Sequence, residues 1–311
     1  MILDVEGSNP FTHPKRPPAF AGGLFPFRRA RADGGPRLAR FRAMTKTPAI
    51  DIDLFWAKLR KEARALAKSE PMTAPLLRRT ILDRKDFADC LVEVLSSRLR
   101  RADGLDRAEL ASLFSRVLEA HPAIAASAAV DLTAAVDRDP ALELLSETLL
   151  FSKGFHSLQI HRIAHVLWTS GQPIGAKMLQ SAVSARFGVD IHPAAVIGHG
   201  VHVDHATGLV IGETARVGND VSIFHGVTLG GTGKETGDRH PKVGDGVLLS
   251  AHAQLLGNIR IGRGAKIGAG AVVLTDVPPH TTYAGVPAVK VGVPRCDAPG
   301  LEMNVDFLDP A

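Results

Sequence analysis

One period governs the second half of this chain and leaves few folds open to it. From residue 188 onward aliphatic residues recur every six positions. Ile191, Ile197 and Val203 form a first run; after a two-residue insertion come Ile211, Val217, Ile223 and Leu229; after a longer one come Val243, Leu249, Leu255, Ile261, Ile267 and Val273. Glycine follows the aliphatic at Gly198, Gly212, Gly218, Gly244, Gly262 and Gly268. Four places after it stand small or β-branched residues: Ala195, Val201, Thr207, Ala215, Val221, Val227, Val247, Ala253, Ile259, Ala265 and Ala271. A period of six is neither the 3.6 of a helix nor the simple alternation of a strand. It predicts a solenoid whose short flat strands each send one aliphatic side chain to the axis, three strands to a coil of about 18 residues, with glycine at tight corners. A sandwich that met this rule by chance at thirteen positions is a poor alternative.

The first half reads differently. Phe87, Leu91, Val94, Leu95 and Leu99 lie on one helical face, as do Leu110, Leu113, Phe114 and Val117. Gly104 is expected to stop one helix, Asp106 to cap the next, and Pro122, Pro140 and Pro173 to mark further helix starts. Six or seven helices are expected over 46–187, followed by the solenoid over 188–293 and a tail over 294–311. Residues 1–43 hold eight basic and three acidic residues, with six Pro and five Gly and no period. A disordered basic extension over 1–45 is expected, and Met44 is an alternative start. The rest of the chain is balanced in charge, so the net +5 says nothing of nucleic-acid binding by the folded body. Cys90 and Cys296 cannot build a disulfide framework, and no transmembrane-length apolar run exists. A cytoplasmic protein is expected.

Several residues invite chemistry. His205 sits in the two-residue insertion, where the coil rule relaxes and a side chain can project, with the carboxylate of Asp204 beside it. Arg239 and His240 lie in the long insertion, which should protrude as a loop. Gly230 to Lys234 is not a P-loop, because Thr228 replaces the required glycine and Glu235 the Ser/Thr. His161 and His165 are one helical turn apart, but packing beside Trp168 is the favoured reading over metal ligation.

The motifs Asp190-Ile191-His192-Pro193-Ala194-Ala195, Asp204-His205-Ala206-Thr207-Gly208, Gly230-Gly231-Thr232-Gly233-Lys234, Asp238-Arg239-His240-Pro241-Lys242 and Ala284-Gly285-Val286-Pro287-Ala288 resemble those of bacterial serine O-acetyltransferases. Arg138-Asp139-Pro140-Ala141 and Lys153-Gly154-Phe155-His156 extend the resemblance into the helical half. It implies an N-terminal helical domain followed by a left-handed parallel β-helix, assembled as trimers that pair through the helical domains. It implies acetyl transfer from acetyl-CoA to the hydroxyl of L-serine, giving O-acetyl-L-serine and CoA, without a metal.

Under that resemblance His205 is the general base and Asp190, nearly one coil earlier, is its orienting carboxylate. Asp139 and Asp204 face the substrate ammonium, although Asp139 has a credible alternative role as a helix cap before Pro140. Arg239 and His240 bind the substrate carboxylate, Arg239 by a forked pair and His240 by a charge-assisted bond. Gly231, Thr232, Ala251 and Ala269 match positions lining the CoA groove; Lys266 and Lys290 are candidates for its phosphates. Many relatives dock a C-terminal isoleucine into the sulfhydrylase that uses their product. This sequence ends in Pro310-Ala311, which makes a cysteine synthase complex doubtful. A sugar or amino-sugar acetyltransferase of the same fold is the alternative. A metal-dependent carbonic anhydrase on this solenoid would need an H-x4-H pair that the coils lack.

Overall fold

A computed structural model describes residues 49–99, 106–233 and 236–306. The basic extension, the Gly104 stop, Lys234 and the terminal Phe307–Ala311 lie outside them. Among the described residues eight α-helices precede the solenoid: α1 (Ile52–Ser69), α2 (Ala74–Leu77, continuing as a π-turn through Leu82), α3 (Phe87–Leu99), α4 (Arg107–Ala120), α5 (Ala123–Arg138), α6 (Leu145–Phe151), α7 (Lys153–Thr169) and α8 (Pro173–Phe187). The expected count was lower because α2 is a single turn and only Ser152 separates α6 from α7. Asp51, Asp106 and Ser152 cap α1, α4 and α7 by accepting backbone N–H bonds. Pro173 opens α8, but Pro140 opens no helix: it follows the end of α5 in a turn. The apolar face of α3 is wholly buried, Phe87 stacking edge-on with Phe55 at 5.0 Å.

Helix α8 ends on left-handed Gly188, and the solenoid begins at once. Its first coil is β1 (Val189–Ile191), β2 (Val196–Ile197) and β3 (His202–Val203); the second is β4 (Leu209–Ile211), β5 (Arg216–Val217) and β6 (Ser222–Ile223). The third is β7 (Thr228–Gly230), β8 (Lys242–Val243) and β9 (Leu248–Leu249); the fourth is β10 (Gln254–Leu256), β11 (Arg260–Ile261) and β12 (Lys266–Ile267). β13 (Val272–Val273) starts a fifth coil, closed by β14 (Thr282–Ala284) and the antiparallel β15 (Val289–Gly292). Each strand as far as β14 pairs in parallel with its counterpart one coil away, giving three sheets: β1-β4-β7-β10-β13, β2-β5-β8-β11 and β3-β6-β9-β12-β14-β15, with β15 added antiparallel. The register follows the hexad. Ile191 pairs with Ile211, Val203 with Ile223, and Leu229 with Leu255. Twelve of the thirteen hexad aliphatics are buried, Ile197 being partly exposed.

The helices are locked onto the first coil by a buried polar cluster. Asp131 of α5 accepts from Arg162 (2.7 Å) and Gln159 (2.9 Å) of α7 and from the Val201 backbone N–H (2.9 Å). Arg162 also donates to the Gly198 carbonyl at 2.8 Å. Every partner here is satisfied, and the cluster ties α5 and α7 to the first coil. Gly154, in the first turn of α7, lies so close to the Val203 carbonyl that any Cβ there would clash with it. The tail returns over the third sheet as α9 (Pro299–Glu302), where Gly300 donates to the Gly246 carbonyl at 2.9 Å. No helix among the described residues is long and apolar enough to cross a membrane.

Candidate active site

Two groups of polar residues collect at opposite edges of the β1-β4-β7-β10-β13 sheet. The first is built on the two-residue insertion between β3 and β4. His205 and Ala206 adopt φ of 55° and 62°, in the left-handed region that costs a non-glycine residue on the order of 1 kcal/mol or more. The excursion is held by Ala206 N–H to Asp204 O (2.6 Å) and Thr207 N–H to His205 O (2.7 Å). It turns the His205 side chain outward, 75% exposed, with Nε2 3.8 Å from Asp204 Oδ2. Lys153, beside Gly154, donates to the Thr207 hydroxyl, so the Lys-Gly-Phe-His motif braces this corner from the helical domain. His205 stacks edge-on against His225 at 5.7 Å, and His225 against His252 at 4.9 Å, one ring per coil.

The Arg-Asp-Pro-Ala motif delivers a second carboxylate to the same place. Arg138, at the end of α5, is buried against the solenoid and donates to Ser222 Oγ (3.2 Å) and pairs with Asp220 (3.4 Å). That fixes Asp139, the C-terminal cap residue of α5, whose Oδ1 accepts from Ala141 N–H at 2.9 Å. The expected helix start beyond it is thus replaced by a local turn. Asp139, His202 and Asp204 each bring one side-chain atom within 4.8 Å of the others. Two carboxylates at that separation favour a cation between them. His202, missed in the sequence, is 4% exposed, and burial pushes its pKa down, so the ring is neutral. It precedes an inward-facing aliphatic, a position that normally faces solvent. The helices α5 and α7 both pack on β3 and cover it, and the hexad gives no sign of that.

Among the described residues no hydrogen bond or ion pair joins Asp190 and His205; the Asp190 carboxylate accepts from the Gln180 amide of α8.

The second group lies where β4 and β7 leave the sheet. Arg239 forms an ion pair with Glu213 at 2.7 Å, and that bond holds the Glu213 carboxyl below its ordinary pKa. Thr214 Oγ1 accepts from the Arg239 and His240 N–H groups at 3.0 and 3.1 Å. The His240 ring lies so close to Gly212 that a Cβ there would collide with it. Its Nδ1 accepts from Thr214 N–H at 3.2 Å, which leaves the ring proton on Nε2. Burial, then Arg239 and Lys242, lower its pKa. His240 thus offers an Nε2–H donor, whose bond to an ionised carboxylate would be charge-assisted. Glu213 and Thr214, which set this geometry, were also missed. They stand in an ordinary solenoid turn, and only the fold of the long loop brings Arg239 and His240 to them.

The expected CoA-groove residues divide between the two edges. Ala251 and Ala269 stack at the His205 edge, where Gly270 N–H donates to Ala251 O at 2.9 Å. Gly231 lies against Arg239, and Thr232 against Gly257, at the other. Lys290 is exposed on β15. Lys266 is not available as drawn from the sequence: it is 6% exposed and donates to the Asp306 carbonyl of the returning tail. His165 Nδ1 meets the Pro193 carbonyl at 2.8 Å and His161 is buried among the helices, so this pair packs the domain interface.

Residues 55–160 match the family model described as serine acetyltransferase, N-terminal, and residues 240–275 match the bacterial transferase hexapeptide model of six repeats. The serine acetyltransferase of Salmonella typhimurium is 48% identical over 260 residues, covering 84% of this chain and 95% of that protein. The solved serine acetyltransferase of Vibrio cholerae superposes with a TM-score of 0.81 at 47% identity, covering 83% of this chain and all of that one. The Brucella abortus serine acetyltransferase solved in complex with coenzyme A gives 0.76 at 45% identity, covering 79% of this chain and 98% of that one. A helical domain joined to a hexapeptide β-helix, matched in sequence and shape over four-fifths of its length, places the chain in the serine acetyltransferase family.

Proposed function

We propose that this chain transfers the acetyl group of acetyl-CoA to the hydroxyl of L-serine, by direct attack with His205 as general base. The observation that carries this reading is the convergence of Asp139 and Asp204 beside the outward-turned His205. The carboxylate pair takes the substrate ammonium, which sets the hydroxyl at His205. Imidazole removes the hydroxyl proton as the oxygen attacks the thioester carbonyl, and the imidazolium gives that proton to the CoA thiolate that departs when the C–S bond breaks. A covalent acetyl-enzyme has no support: Cys90 is buried among helices with its thiol pushed far above the usual range, and Cys296 bonds Glu302 near the tail.

The substrate carboxylate falls to Arg239 and to the neutral Nε2–H of His240, with Glu213 and Thr214 holding both in place. Those residues sit across the sheet from His205, so one protomer offers two half-sites. A trimer in which the His205 edge of one copy faces the Arg239 edge of the next completes the site. The same cleft would take the pantetheine arm along Gly231, Thr232, Ala251 and Ala269, with Lys290 near the phosphates. Asp190 serves as the orienting carboxylate with Gln180 still bonded to its Oδ1, since a carboxylate accepts more than one bond. The test is steady-state acetyl transfer with serine and with serine amide. Serine turned over with the amide a poor substrate supports the reading; equal turnover of both overturns the carboxylate assignment.

A further inference from the structure

We propose that Asp139, His202 and Asp204 form a binding site for a divalent transition-metal ion, Zn2+ foremost, that excludes the substrate ammonium. Three donor atoms, one from each residue, already lie within 4.8 Å of one another. Zn2+ with bonds of about 2.0–2.2 Å sets its donors roughly 3.3 Å apart, so side-chain rotations of an ångström or so close the site. Two carboxylates and one imidazole are a donor set of the kind seen at zinc sites with three protein ligands and an open position. The imidazole favours Zn2+ over Mg2+ or Ca2+, which call for more oxygen donors.

A second observation points the same way. The His202 ring is buried, yet its Nε2 has no hydrogen-bond partner, a costly arrangement for a ring nitrogen inside the protein. The mount is also rigid. His202 sits on β3, paired with Ser222 of β6, and Asp139 is fixed by the buried Arg138. Asp204 is held by its backbone N–H bond to Ile223 O at 2.8 Å.

The binding half of this inference stands on these residues alone; the competition half rests on the ammonium reading of Asp139 and Asp204. The experiment is calorimetric titration of zinc chloride into the chelator-treated full chain, with Co2+ absorption as a spectroscopic check and free Zn2+ buffered. Variants are His202→Leu, His202→Cys and Asp139→Asn. One Zn2+ per chain is expected, weakened at least about tenfold by His202→Leu and by Asp139→Asn. It is kept by His202→Cys, whose thiolate replaces the imidazole. Zinc should inhibit acetyl transfer competitively against serine, and His202→Leu, measured against its own zinc-free rate, should resist zinc. No stoichiometric binding, or binding indifferent to His202→Leu, overturns the site. Binding that depends on His202 but ignores serine keeps the metal site and overturns the ammonium assignment.

Discussion

Lowering the pH should loosen the junction between α6 and α7 through one residue, His156. Its ring is buried between Phe155 and Phe187, with Nε2–H donating to the Leu149 carbonyl at 2.7 Å. Burial is the largest cause that lowers its pKa, to about 4 from 6.5, and Arg98 and Arg186 add to it. Because the folded-state pKa lies below the unfolded one, the unfolded chain gains a proton near pH 6.5 that the folded chain refuses until about pH 4. The stability contributed by the neutral ring is complete above pH 6.5 and is lost as pH falls through that window. At about 1.4 kcal/mol per pKa unit the full loss is roughly 3 kcal/mol, and at pH 5 it is already about 2 kcal/mol. The assay is denaturant unfolding of the parent and His156→Gln at pH 7.5 and 5.0, at matched protein concentration. Glutamine cannot titrate, so the parent should lose about 2 kcal/mol more than the variant between the two pH values. Equal losses would refute the burial argument.

Other outcomes follow from single contacts. Thr214→Val removes the oxygen that accepts from Arg239 and His240, and should raise KM for serine about tenfold, leaving KM for acetyl-CoA nearly unchanged in steady-state assays. Gly154→Ala drives a methyl group into the Val203 carbonyl and should cost about 1–3 kcal/mol, read as a melting point several degrees lower. Lys290→Ala should raise KM for acetyl-CoA, whereas Lys266→Ala should leave it unchanged and speed proteolysis of the tail that Lys266 holds.

The architecture was legible because the hexad leaves little freedom: an aliphatic every six residues, paired coil on coil, dictates strand, turn and register together. The two insertions were legible as breaks in that rule, and they mark the edges where polar residues gather. What escaped the sequence depends on contacts between parts that are far apart along the chain. His202 is buried because α5 and α7 lie on β3, and Glu213 and Thr214 matter only because a loop more than twenty residues later folds back on them. The Asp131–Arg162–Gln159 cluster joins three elements through helix positions with no distinguishing spacing. Lys266 was misjudged for the same reason, since the tail that covers it follows some forty residues later.

The central claim is that His205, turned outward by the left-handed insertion, removes the proton from the attacking hydroxyl. The direct measurement is kcat for His205→Ala with serine and acetyl-CoA both saturating. A fall of at least about a hundredfold is expected, with KM for serine little changed because Asp139, Asp204, Arg239 and His240 still bind it. A His205→Ala enzyme that keeps near-normal kcat would contradict the account.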